Sequence, residues 1–360
     1  MTNRRWVLCA TALLMAGCGG GGSTPSTTTG GNPNAGSGPN QPTVGVSSND
    51  TSVDTSMLAD LNGLRAQCGG TALPAVSTLN CLIVSSVRHA GYQSLYDTKN
   101  GGASLDHGEP DSTINLYTST DFWIRIEDAN SGQDVTNTNE YYEDIASQAL
   151  TPAMDSLWNT VFHRLPMMRH QVTSVGYGDM AMARSDYPTA GIPTTDAWGN
   201  TPPGNGYATL DFAAYPTPAI TLSWWPLSGT TGVPPLFVST TESPNPLPSG
   251  PANVGPPLHM ICPTTLNFTS VTATLSSSGG SQSVYLLVGG ATTGPAAPTS
   301  FGGQTSSANC TLNSDLNAGE LFLIPLAPLA SNTVYTYSIT AVDSSSASFS
   351  VASSTFTTGN

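Results

Sequence analysis

The chain has 360 residues, of which 23 are acidic and 9 basic, for a formal charge of −14. With Lys99 as its single lysine, it lacks the basic surface that nucleic acid or an anionic membrane would require. Hydrophobic residues make up 38%, alongside 37 Gly and 28 Pro, which points to about two loop-rich domains of secreted type rather than one helical cytosolic domain.

Arg4 and Arg5 precede an apolar run from Trp6 to Ala16, which has the charge and length of a signal peptide and is too short to span a bilayer. It ends in Leu14-Met15-Ala16-Gly17-Cys18, which resembles the lipobox of bacterial lipoproteins, with Met15 where leucine is usual. The resemblance implies cleavage before Cys18 and acylation of that residue. Residues 1–17 are then lost, and the chain reaches the membrane through a lipid anchor rather than a span. The alternative is an ordinary cleaved signal with an incidental Cys18. The expected location is exported, in the bacterial cell envelope, as an outer-membrane lipoprotein or at the cell surface. Loss of Arg4 and Arg5 leaves 9 − 2 = 7 basic against 23 acidic residues, or −16.

Cys9 leaves with the signal, so Cys68, Cys81, Cys262 and Cys310 remain. An exported chain normally oxidises its cysteines. The pairs Cys68–Cys81 and Cys262–Cys310 are favoured, since each lies inside one expected domain. No CxxC or Cys/His zinc spacing occurs, which argues against a structural metal held by cysteine.

Residues 18–50 follow as the lipidated cysteine and a Gly/Ser/Thr/Asn/Pro tether without a core. A first domain is expected over 51–225. Its first helix runs from about Thr55 to Ala66, with Met57, Leu58, Leu61 and Leu64 at helical spacing. A second covers Ser77–Tyr96, with His89 on its flank as a hydrogen-bonded edge residue. A third covers Leu116–Asn130. The fourth starts near Pro152 with an apolar stripe through Met154, Leu157, Trp158, Val161, Phe162 and Leu165, and Pro166 closes it. At 100° per residue His163 lies opposite that stripe, facing solvent or a cleft wall. Strands are expected at Val172–Gly178, Tyr207–Ala213 and Pro218–Trp225. Helices followed by strands give an α+β layered domain.

Residues 226–261 are a proline-dense connector expected to lie against the first domain. Residues 262–360 alternate in short runs such as Phe268–Leu275, Ser283–Val288, Leu321–Ile324 and Val334–Val342, which indicates a small all-β sandwich. The segment Leu329 to Tyr337 resembles the immunoglobulin and fibronectin type III pattern of a tyrosine after a leucine at a strand corner. With no histidine and few carboxylates, that module is a candidate for contact with a protein partner rather than for chemistry.

His107 and Glu109 share a Gly/Pro-bounded loop, Glu143 follows Tyr141 and Tyr142, and His163 ends the fourth helix. Two imidazoles with one or two carboxylates make an incomplete shell for Zn²⁺ or a similar divalent ion, or a general acid–base set. Spacing alone leaves both of these, and a plain surface, open.

The order of motifs LNGLRAQCG, VSSVRHAGYQSLYD, DHGEP, YYEDIA, WNTVFHRLPMM and VTSVGYGDM, from about Met57 to Met180, resembles the bacterial branch of the CAP superfamily (cysteine-rich secretory proteins, antigen 5 and pathogenesis-related-one proteins). The resemblance implies a CAP-type α-β-α sandwich with a cleft holding two histidines and two acidic residues, which in several members bind a divalent metal. Carried over by motif, the histidines are His107 and His163 and one acid is Glu143. The second acid departs from the pattern: its place is taken by Val161, and Glu109 is a further candidate ligand. Asp144 replaces an asparagine, and Arg164 is expected in a salt bridge with Asp155 or Glu127.

The leading functional expectation is a non-enzymatic, envelope-anchored CAP module whose cleft holds a divalent metal or a small apolar or lipid ligand. One alternative is a hydrolase using Glu143 or His163 to activate water, although no GxSxG or HExxH motif is present. The other is a structural or adhesive envelope protein with a vestigial cleft.

Overall fold

The computed structural model describes residues 6–10, 48–101, 105–129, 140–146, 150–194, 206–214, 220–290, 300–303, 310–313 and 315–360. The chain is mixed α+β, with helices and many strands in several sheets. It divides into two compact units interleaved in sequence. Unit 1 takes Met1–Asp60, Val76–Leu157 and Val172–Pro216, while unit 2 takes Leu61–Ala75, Trp158–Gln171 and Thr217–Asn360. The contiguous divisions expected at 225 and 261 do not coincide with these units. The expected tether lies almost wholly outside the described residues.

The helices are α1 (Ser48–Arg65), α2 (Asn80–Asn100), α3 (Phe122–Ala129), α4 (Leu150–Trp158), α5 (Arg164–Met168) and α6 (Met180–Asp186). Among the described residues no helix is long and apolar enough to cross a membrane.

In unit 1 the strands Glu140–Ala146, Ala208–Ala214 and Val172–Asp179 lie side by side and antiparallel, with Ser77–Thr78 parallel at one edge. Trp6–Ala10, inside the expected leader, pairs parallel with Glu140–Ala146 at the other edge. Cleavage before Cys18 would remove that strand from the sheet. Helix α2 lies directly on the Val172–Asp179 strand. A Cβ at Gly176 would fall 2.2 Å from the Leu82 carbonyl carbon, and one at Gly178 would fall 2.1 Å from the Val87 nitrogen. The two glycines therefore set how closely helix and sheet approach. Cys81, Leu82, Phe122, Ile126, Tyr141 and Ala213 form one core cluster on this framework.

Two helix boundaries differ from expectation for visible reasons. Leu116 sits at φ 69°, and Glu109 takes the backbone N–H groups of Thr118 and Ser119, so α3 starts at Phe122 rather than Leu116. The expected fourth helix is broken. Phe162 gives its N–H to Glu242 instead of to the Trp158 carbonyl, which accepts from Arg164 Nε. Pro166 then falls inside α5, in a first turn where its missing N–H has no helical partner to lose.

Unit 2 contains two larger sheets. One orders Cys310–Asn313, Val284–Gly289, Glu320–Pro325, Leu258–Ile261, Ser223–Trp225 and Gly69–Gly70. The other orders Gly280–Ser281, Phe268–Ser277, Val334–Asp343, Ser348–Thr358 and Thr230–Val233, with Ser300–Gly303 pairing parallel to Phe268–Ser277. Strand Val334–Asp343 alternates, burying Tyr335, Tyr337, Ile339 and Ala341, as a sheet with one covered face does. Leu258–Ile261 and Glu320–Pro325 are buried on both faces. Tyr335 accepts the Ala330 N–H at 2.9 Å, tying its strand back to the turn before it.

The Pro-rich stretch expected as a connector is itself built into a folded unit. It belongs to unit 2, where Phe237, Leu247, Val254 and Leu258 are buried and several short strands form. Prolines stop long strands but do not prevent apolar side chains between them from reaching a core. Of the expected strand Pro218–Trp225, Ser223–Trp225 is formed and pairs inside unit 2, while 215–219 lie outside the described residues.

No disulfide joins Cys68 to Cys81: both are buried thiols, one in each unit. Cys262 is likewise a buried thiol, and the side chain of Cys310 lies outside those described. Spacing along the chain fixed neither position in space, and disulfide formation needs Cα atoms only about 6 Å apart.

Candidate functional site: a buried Glu–Arg–His network

In unit 1 the strand carrying Glu143 and the helix carrying Arg125 place a carboxylate and a guanidinium in contact, both buried. Glu143 Oε2 accepts from Arg125 Nη2, and Oε1 lies 2.9 Å from His107 Nδ1. Arg125 Nη1 also donates to the His107 carbonyl at 2.8 Å, which fixes the DHGEP loop as well as its imidazole. On the other side Arg125 Nε is 3.6 Å from Glu109 Oε1.

Glu109 is held in turn. Its Oε2 accepts from the backbone of Thr118 at 2.5 Å and Ser119 at 3.1 Å, and its Oε1 lies 3.3 Å from His89 Nδ1. His89 Nε2 is 3.0 Å from the Asp106 carbonyl. Both partners of that ring are acceptors, so both bonds form together only when it carries two protons.

Burial by itself would push Glu143 up, but Arg125, His89 and His107 outweigh it and hold the carboxyl well below its ordinary range. Burial would likewise lower Arg125, and Glu143, Glu109 and Asp211 reverse that. Asp211, opposite Glu143 on the next strand, goes the other way. Burial first and the Glu143 charge second raise it well above the ordinary value. The network thus sets a carboxyl held below its ordinary range beside a neighbour pushed above its own.

His107, Glu109 and Glu143 are therefore brought together around Arg125. His163 lies in unit 2. There it is fully buried, and its Nδ1 lies 3.1 Å from Glu242 Oε1 and 3.0 Å from Thr160 Oγ1. The expectation that it faces solvent or a cleft wall fails because a helical wheel does not carry across the break after Trp158. Glu242 also accepts the N–H groups of Val161 at 3.0 Å and Phe162 at 2.6 Å. Glu242 thus reaches the Val161 backbone from 81 residues away.

Arg164 does not pair with Asp155 or Glu127. It donates to the carbonyls of Trp158 and Pro257 and lies over the Trp225 ring at 4.0 Å.

The residues do not fit a resident divalent metal as they stand. Both Glu143 oxygens are engaged, one of them by a guanidinium that repels a cation. Among the described residues no group of three or more His, Cys, Asp or Glu converges as a metal site.

Arg125, Asp211 and Glu242 were not singled out by sequence, and His89 was read only as an edge residue. Arg125 had a signal, being three residues after Phe122 and next to Ile126 on an apolar helix face. So did Asp211, an acid inside the apolar strand Ala208–Ala214. Glu242 had none.

Comparison with protein-family models and with curated proteins finds no match. The class defined by fold and site together is an α+β protein with a buried Glu–Arg–His network in one unit and a buried His–Glu pair in the other.

Proposed function

We propose that the chain is an exported, lipid-anchored envelope protein with a CAP-type unit, in which Glu143 and Arg125 hold His107 as a fixed hydrogen-bonding group for a small, largely apolar ligand, without metal and without turnover. One observation carries this reading. Glu143 is completely buried and spent on Arg125 and His107, which hold its carboxyl below the ordinary range, while His107, at 6% exposure, has more open surface than His89, Glu109, Arg125, Glu143 or Asp211. A carboxylate so placed orients its imidazole and contributes little else. The motif order from LNGLR to VGYGD supports the CAP assignment, and the lipobox at Cys18 supports the anchor.

The test is mass spectrometry of small molecules extracted from the purified full chain and from His107→Ala. A ligand enriched only in the parent chain is expected, and identical extracts would overturn the reading. Zinc titration by calorimetry serves as the second arm. Stoichiometric zinc binding lost in His107→Ala would replace this reading with the metal-holding one. For the anchor, labelled palmitate should enter the parent chain and not Cys18→Ser. An unlabelled parent would remove the lipid.

A hydrolytic reading has one observation in its favour, the 2.9 Å Glu143–His107 pair, since a carboxylate-oriented imidazole is the usual general base. Ester, peptide and phosphodiester assays decide it: turnover must be present in the parent chain and lost in both His107→Ala and Glu143→Gln.

A further inference from the structure

Unit 2 buries a second polar cluster that the proposed function does not use. Arg164 is fully buried, with its guanidinium carbon 4.0 Å from the centre of the Trp225 ring and 5.6 Å from that of Trp158. The two indoles meet edge to face at 6.2 Å. Register places His259 directly opposite Trp225 on the adjacent strand, and Ser223 lies two residues from Trp225 on the same face. His259 is stacked on Phe322 at 4.0 Å, which closes that side.

The partners of Arg164 among the described residues are carbonyls and rings rather than a carboxylate. Its Nη2 makes no hydrogen bond to them, and neither do the indole nitrogens of Trp158 and Trp225, Ser223 Oγ or either ring nitrogen of His259. Guanidinium and indole N–H groups donate only. Neutral His259 offers one acceptor nitrogen and Ser223 its hydroxyl oxygen, but these are outnumbered by groups that only donate, and burying such donors beside a cation with too few acceptors is strongly disfavoured. A water molecule is a poor answer, because it brings two hydrogens of its own into a set dominated by donors. An anion only accepts.

We infer that Arg164, Trp158, Trp225 and Ser223 form a buried site for one small monovalent anion of halide type. Arg164 supplies the charge, the two indoles and the serine hydroxyl complete the donor set, and Phe322 and the tryptophan rings wall it from water. Cys68, Glu242 and Tyr337, in that order, act on Arg164 at a distance; burial pushes the Cys68 thiol up to about 12, and Glu242 is committed to His163, Val161 and Phe162. Its charge leaves room for a single negative ligand and disfavours a divalent one.

The experiment uses the full chain prepared in halide-free gluconate buffer. Thermal midpoint is followed as chloride replaces gluconate at constant ionic strength, in the parent and in Trp225→Phe. That variant keeps the ring under the guanidinium and removes one donor. A saturable rise is expected in the parent, with half-saturation moved about tenfold higher in the variant, the effect of one hydrogen bond to a charged group. Crystals of the parent grown in bromide need no variant and should show an anomalous peak within hydrogen-bonding reach of Arg164 Nη2. Equal chloride responses in the two proteins, or a map with only water at that position, would overturn the inference.

Discussion

Glu143 and Asp211 stand directly opposite one another on adjacent antiparallel strands, and neither has any exposed surface. Two charged carboxylates cannot share such a place. Arg125, His89 and His107 hold Glu143 well below its ordinary range, and burial together with the Glu143 charge pushes Asp211, against Ser86 Oγ at 3.1 Å, well above its own.

The pH dependence follows with a definite sign. Asp211 has a raised folded-state pKa, so its contribution is fully present below the unfolded value of 3.8 and is lost as pH rises through the folded one. In that window stability falls by about 1.4 kcal/mol per pH unit. Asp211→Asn mimics the protonated acid and removes this dependence. Its advantage over the parent in urea denaturation should widen from pH 5 to 8, and a constant gap would show that Asp211 is ionised throughout.

Glu143→Gln strands the buried guanidinium of Arg125 and should cost about 3–5 kcal/mol, as breaking one side of a buried pair does. The double variant Glu143→Gln/Arg125→Met should recover a large part of that loss. Chemical denaturation of all three proteins measures the coupling, and simple additivity would mean the pair is not formed. Because Glu143 is held below its usual range, its contribution is present above pH 4.5 and is lost as pH falls from there.

Gly178→Ala places a methyl group 2.1 Å from the Val87 nitrogen, against helix backbone that cannot rotate away. The helix must lift from the sheet, at about 1–3 kcal/mol or more. Exposed Gly63, which has nothing within 4 Å of a built Cβ, provides the control, and its alanine variant should be neutral or stabilising. Equal melting temperatures for the two variants would refute the close approach.

Glu242→Ala leaves the N–H groups of Val161 and Phe162 and the His163 ring without their acceptor. A loss of about 3 kcal/mol or more is expected from the orphaned donors, with Glu242→Gln retaining a substantial part because one oxygen remains. Thermal denaturation of both variants checks the order, and an Ala variant as stable as Gln would contradict it.

Local information went far where the pattern was periodic. The strands at Val172 and Ala208, the helix rising from Asn80 and the alternating runs after Cys262 could be read because burial on one face leaves a period in the chain. His107 and Glu143 could be singled out as imidazole and acid in apolar surroundings. Their hydrogen bond could not, because it depends on Arg125 arriving from a third element.

Other features had no local signature at all. Glu242 lies in a proline-rich stretch, yet it ends the helix expected through Leu165 and binds His163 from 79 residues away. Cys68 and Cys81 are close in sequence and lie in different units. By itself the sequence determined composition class, the acidic balance and most of the periodic elements, because these depend on neighbours along the chain. Tertiary structure alone decided which carboxylate meets which histidine and which acid is pushed above its ordinary range, because burial and charge pairing are set by residues that meet only after the chain has folded.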